Sequence, residues 1–138
     1  MCIRDRSRGG FSTKLHVACD ALGNPVRFAL SPGQSADGRA FDALTAGLQP
    51  EAVLADAAYD WAEIRARVAS MGATAVIKPS QSRALKPAFD RELYRERNQV
   101  ERLIGRLKRY RRIGTRYEQT ARNYLSFVHA VSTLILLA

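Results

Sequence analysis

The chain has 138 residues, enough for one domain with one core, and 46% hydrophobic and 25% charged residues are ordinary for a globular protein. Its charge is not ordinary: 22 Lys and Arg stand against 13 Asp and Glu, leaving +9. The two cysteines, Cys2 and Cys19, exclude a disulfide framework, no Cys-x-x-Cys pair suggests zinc, and the N-terminus lacks the apolar core of a signal peptide.

Met1 to Arg6 gives no structural signal. Phe11 to Cys19 alternates as a half-buried strand does, and Ala21 to Pro25 supplies turn chemistry. Val26 to Leu30 makes the second arm of a hairpin, broken by Ser31-Pro32-Gly33. Asp37 to Leu48 has helical spacing through Phe41, Leu44 and Leu48. Val53-Leu54-Ala55 is a short apolar strand ending in Asp56. Trp61 to Met71 reads as a helix closed by Gly72, with Asp60 as its N-cap. Thr74 to Ile77 is a second buried-type strand, and Lys78 to Pro87 a polar loop. One long helix is expected from Phe89 to Arg112 and another from Gln119 to the C-terminus. The last of these is apolar but short for a membrane span, and Ser126, His129, Ser132 and Thr133 interrupt it, so it reads as a core helix. This order predicts an α/β domain with a mixed sheet.

The positive charge is local. Lys78 to Arg116 holds 13 basic and 4 acidic residues, and the rest of the chain sums to zero. Such density points to a polyanion, nucleic acid being the commonest. On the helix from Phe89 to Arg112 three faces separate. Leu93, Val100, Leu103, Ile104 and Leu107 form one to bury. Arg91, Arg95, Arg102, Arg106 and Arg109 form one to dissolve. Tyr94, Arg97, Glu101 and Lys108 share a third stripe within roughly 60° of arc.

Asp56, just past a strand, and Glu101, on a helix that would pack against the sheet, are a carboxylate pair able to bind Mg²⁺. Read alone, Asp56 is more often a cap or a loop residue, and Arg97–Glu101 an ordinary i,i+4 surface pair of about 0.3–0.5 kcal/mol. His16 and His129 have no ligand partners at metal spacing and read as structural. Gly9 and Gly10 lack the Gly-Lys-[Ser/Thr] of a phosphate loop. Gly105, costly in mid-helix, suggests close approach of DNA or another backbone.

Tyr94-x2-Arg97-x3-Glu101-x6-Lys108 resembles the Y-R-E-K signature of insertion-sequence DDE transposases. Leu54-Ala55-Asp56-Ala57-Ala58-Tyr59-Asp60 is similar to the family's second-aspartate motif. Ser7-Arg8-Gly9-Gly10-Phe11-Ser12-Thr13-Lys14-Leu15-His16 is similar to the stretch after the first catalytic strand. The resemblance covers residues 7–138, setting residues 1–6 apart as a leader of unclear origin. It implies a ribonuclease H-like mixed sheet flanked by helices, and metal-dependent DNA cleavage and strand transfer at transposon ends. Asp56 and Glu101 would be the second and third metal-binding, catalytic carboxylates, holding two Mg²⁺ ions, with Mn²⁺ as a substitute. Tyr94, Arg97 and Lys108 would lie near DNA phosphates, with Arg91, Arg95, Arg102, Arg106 and Arg109 as further DNA contacts.

The resemblance places a first aspartate on a central strand upstream of Ser7. Asp5 stands there out of context, and Asp20 belongs to the next strand. The expectation is therefore an N-terminally truncated catalytic domain, lacking its first central strand and inactive alone. Transposon ends and target DNA are the expected partners, with no membrane, a homodimeric parent enzyme and a bacterial cytoplasmic, nucleoid-associated location. The alternatives are a non-catalytic DNA-binding module or another ribonuclease H-like nuclease.

Overall fold

A computed structural model describes residues 2–4, 13–114 and 120–137. Thr13–Cys19 (β2) lies between Cys2–Arg4 (β1) and Pro25–Pro32 (β3) in an antiparallel three-stranded sheet. Leu15 faces Ile3 on one side and Leu30 on the other. Two expectations change here. Residues 2–4, which carried no signal, form a strand, because three residues are too few to show a period of two. The hairpin's second arm extends through Ser31 and Pro32, whose residues pair with Lys14 and Thr13. Proline survives there because, among the described residues, β3 has a strand on one side only and no ladder donor is needed on the other. Phe11 and Ser12, expected in the same strand as β2, lie outside the described residues.

The turn between β2 and β3 is set by Asp20, whose carboxylate accepts from Leu22 N and Asn24 N, both at 2.9 Å. Gly23 then takes φ +82°, a left-handed value that L side chains resist.

β2 was expected to be half-buried and is buried on both faces. Leu15 and Val17 face one core. Lys14 and His16 face the other way and are buried too, each with a polar partner as buried groups require. Lys14 Nζ donates to Ser35 O and Asp37 Oδ1, each at 2.7 Å. His16 Nε2 meets Ser31 Oγ at 2.7 Å and its Nδ1 the Tyr59 hydroxyl at 3.4 Å. Burial holds the imidazole pKa below its ordinary value.

After β3, the expected helix over residues 37–48 is a single 3₁₀ turn, Asp37–Ala40, running into the short helix Phe41–Thr45 (α1). Ala52–Ala55 (β4) and Thr74–Ile77 (β5) form a second, parallel sheet, joined by Ala62–Ser70 (α2). The architecture is mixed α/β, but among the described residues the strands make two small sheets and not one mixed sheet. Two cores match the two sheets. Leu15 and Val17 pack with Leu103, Ile104, Leu107, Ile113, Tyr124, Val128 and Val131. Phe41, Tyr59, Ile64, Val68 and Ile77 form the other. The C-terminal helix, Ala121–Leu137, buries Tyr124, whose hydroxyl donates to Ile113 O at 3.0 Å. No described helix is long and apolar enough to cross a membrane.

Asp60 is not the N-cap of α2. That position is Trp61, which makes no side-chain cap hydrogen bond. The Asp60 carboxylate instead has 0% exposure and accepts from Arg65 Nε at 2.6 Å, Ser80 N at 2.6 Å and Arg83 Nε at 2.9 Å. It ties the start of α2 to the loop after β5. Burial alone would raise its pKa. The hydrogen bonds from Arg83, Ser80 and Arg65, with the Arg65 charge, outweigh that and bring it from 3.8 to about 2. Since the folded state binds this proton less readily, the stabilisation is complete above pH 4 and is lost as pH falls toward 2. It amounts to about 2 kcal/mol. Urea unfolding across pH 5 to 2 should show this loss, and Asp60→Asn should remove that part of the pH dependence while lowering stability at pH 7.

Candidate functional site

The segment expected as one helix begins with Asp90, which caps Arg91–Arg95 (α3) by accepting from Glu92 N and Leu93 N, both at 3.0 Å. It resumes as Asn98–Lys108 (α4), followed by Arg111–Gly114 (α5). Between α3 and α4 the backbone tightens. Glu96 N donates to Leu93 O and Arg97 N to Tyr94 O, each at 3.0 Å, a three-residue reach in place of four. In that 3₁₀ geometry residues three apart eclipse one another. Tyr94 and Arg97 are such a pair, and the Arg97 guanidinium sits 5.3 Å from the Tyr94 ring centroid. Phe89 backs the tyrosine edge-on at 5.4 Å, and Arg91 lies over the Phe89 ring at 5.9 Å.

Four residues further on, Arg97 Nη2 donates to Glu101 Oε1 at 2.6 Å. The arginine side chain is 19% exposed and the glutamate 41%. Arg97 Nε is buried and has no hydrogen-bond partner among the described residues. An isolated surface pair contributes little. Here the arginine is largely desolvated, so removing Glu101 would cost more than an exposed pair does.

Asp56 follows β4 and caps the 3₁₀ turn Ala57–Tyr59, one oxygen accepting from Ala58 N at 3.1 Å. It is thus a cap, as its position after a strand allowed. Asp56 also lines a cavity of about 540 Å³ bounded by the end of β2, α1, β4 and the α3–α4 junction. Arg97 and Glu96 line the same cavity. Glu101 is not in its lining and meets it through Arg97. The sequence reading passed over Glu96, whose only signal was its place beside Arg97.

The remaining cations divide. Arg91, Arg95, Arg102, Arg109 and Lys108 are exposed. Arg106 is not on the dissolved face: it is half-buried and donates from Nη2 to Gly23 O at 2.9 Å, tying α4 to the β2–β3 turn.

Among the described residues, no group of three or more His, Cys, Asp and Glu is placed to hold a metal ion. Asp56 and Glu101 therefore fit a divalent cation in kind and not in number. Both offer the hard oxygens that Mg²⁺ takes, and each keeps one carboxylate oxygen outside any hydrogen bond among the described residues.

The chain matches the family model described as "Transposase DDE domain" over residues 3–136, and it belongs to that family. It is similar to a Brucella ovis protein named "Putative transposase for insertion sequence element IS6501". The two are 43% identical over 126 residues, spanning 90% of this chain and 97% of the relative. No solved structure matches it significantly. The chain thus carries a DDE transposase domain and is related to an insertion-sequence transposase.

Gly105 is exposed, and a Cβ there would meet nothing within 4 Å among the described residues, so no described backbone explains it. Gly105→Ala should raise stability by about 1 kcal/mol, seen as a higher melting temperature. If DNA approaches at this point, the same variant should bind DNA more weakly.

Proposed function

We propose that this chain carries DNA-binding and metal-binding parts of a site for phosphodiester hydrolysis and strand transfer at transposon ends. The observation that carries the reading is the Tyr94–Arg97–Glu101 array beside the cavity that Arg97 shares with Asp56. In this reading Asp56 and Glu101 hold Mg²⁺, or Mn²⁺ in its place. The bound cation would activate a water or hydroxyl and neutralise phosphate charge.

The chain's own residues have separate tasks. Arg97 has a planar fork suited to a phosphate, and its buried Nε, without a partner among the described residues, is a donor in reserve. Tyr94 supplies a ring for stacking or a hydroxyl for phosphate. Arg91, Arg95, Arg102, Arg109 and Lys108 are exposed and neutralise the DNA backbone. Arg106 contributes by fixing α4 to the hairpin turn.

In the same reading the two small sheets are parts of one ribonuclease H-like sheet, and the two carboxylates among the described residues are too few for turnover. The parent enzyme is a homodimer working on nucleoid DNA. A second reading, a DNA-binding module with incidental carboxylates, draws on the absence of a three-acid cluster among the described residues.

Two measurements separate these. If the five exposed cations all contact phosphate, log Kd should change by about 4.5 per decade of salt. Affinity should then fall by roughly 500-fold between 50 and 200 mM salt. A salt-independent interaction would contradict DNA binding. Glu101→Gln should abolish the Mg²⁺ dependence of binding to pre-nicked transposon ends; an unchanged dependence would favour the second reading. Robust cleavage of those ends by this chain alone would overturn the reading of an incomplete site.

A further inference from the structure

The loop between β5 and α3 is tied down at both ends and bare in the middle. At its start the buried Asp60 carboxylate accepts from Ser80 N at 2.6 Å and Arg83 Nε at 2.9 Å, and Arg83 Nη2 donates to Asp60 O at 3.2 Å. Arg83 N also donates to Ser80 O at 3.1 Å, closing a turn over residues 80–83. At its end Phe89 packs edge-on against Tyr94, and Asp90 caps α3. Residues 84–88 bridge these two anchors as an arch. Ala84, Leu85, Lys86 and Ala88 are exposed and Pro87 is half-buried. Leu85 is 86% exposed, more than any other large apolar side chain among the described residues.

The composition of the arch favours one kind of partner. A protein-docking surface needs a contiguous apolar patch and is poor in lysine. Residues 78–89 instead place one exposed leucine among Lys78, Arg83 and Lys86, with no acidic residue in the stretch. That combination suits DNA. Proteins that kink a duplex insert an apolar side chain such as leucine at a base step from the minor groove, while cations take the neighbouring phosphates. The groove is about 6 Å wide and demands a narrow insert. Ala84 and Ala88 add little width around Leu85, Lys86 and Pro87, and the proline ring fixes its own φ. Both anchors are made within the fold, so little further ordering accompanies insertion.

We propose that residues 84–88 are a minor-groove wedge, with Leu85 entering a base step and Lys86 meeting the adjacent phosphate. A wedge must unstack the step it enters, so flexible pyrimidine–purine steps such as TA are its targets. Phe89 leads from the arch to Tyr94 and Arg97, so the kinked DNA lies beside the candidate site. The inference rests on the DNA-binding reading above and needs neither a metal ion nor cleavage.

The test uses the full chain and two end-labelled duplexes of about 25 base pairs. In the first, a run of pyrimidines meets a run of purines at a central TA step, its only pyrimidine–purine step, with 2-aminopurine in place of that adenine. The second reverses the runs and has no such step. The chain should bind the first duplex more tightly, and 2-aminopurine fluorescence should rise as the base unstacks. Leu85→Ala should remove that rise and weaken binding to the first duplex about tenfold, leaving the second duplex and the salt slope unchanged. Leu85→Met, still an apolar wedge, should keep the rise. Lys86→Ala should weaken binding to both duplexes and lower the salt slope by about 0.9. Because Leu85 is so exposed, its variants should melt as the wild type does.

Unchanged fluorescence and affinity in Leu85→Ala would overturn the proposal while salt-dependent binding stands. Equal wild-type affinity for the two duplexes without a fluorescence rise would overturn it too. Self-association without DNA that Leu85→Ala abolishes would mean that a second copy takes the leucine, again against the proposal. Salt-independent binding would instead contradict the DNA-binding reading itself.

Discussion

The ion pair between Arg97 and Glu101 organises the basic half of the molecule. The arginine is held from two sides, by the glutamate at 2.6 Å and by the Tyr94 ring at 5.3 Å. Both contacts depend on the backbone tightening between α3 and α4, which brings residues 94 and 97 into line before the ordinary helix resumes. Arg97 is mostly buried, pairs with Glu101 on the helix, and lines the same cavity as Asp56 after β4. Below this, Leu103, Ile104 and Leu107 anchor α4 on β2. Burying one such side chain contributes about 1.5–3 kcal/mol, several times the worth of an exposed ion pair. The core thus fixes the helix, and the helix presents the polar stripe.

The rest of the structure supports that presentation from outside. Arg106 fastens α4 to the turn at Gly23, and Asp60 gathers Arg65, Ser80 and Arg83 around one buried charge. The second of these holds the loop after β5, on the side of the chain leading into α3. Lys14 and His16 show that the interior of β2 tolerates polar groups when each finds a partner.

Much of this was legible in the sequence. The helical stripe from Tyr94 to Lys108, the buried run of Leu103, Ile104 and Leu107, and the strands around Leu15, Leu54 and Val76 follow from spacing alone. The transposase family was legible by resemblance, through the four-residue signature and the stretch around Asp56. Other features were not legible, for physical reasons. The tightening at Glu96 and Arg97 involves neither Gly nor Pro, so nothing local announces it. Asp60 stands where an N-cap would, and only the distant Arg83 and Ser80 reveal its other use. Arg106 shares its helical face with solvent-exposed arginines, and its partner lies 83 residues away. Lys14 and His16 follow the polar half of an alternating strand, but that face is covered by Asp37 and Tyr59. Long-range pairing of polar groups leaves no periodic trace.

In the proposed function Asp56 and Glu101 serve one cation site beside Arg97. Titrating the chain with Mn²⁺ while recording amide resonances tests it directly, because paramagnetic broadening falls off steeply with distance. Asp56, Arg97 and Glu101 should broaden together at one Mn²⁺ concentration, and Glu101→Gln should remove the effect at Asp56. Broadening of one carboxylate without the other, or at two separate concentrations, would contradict the claim.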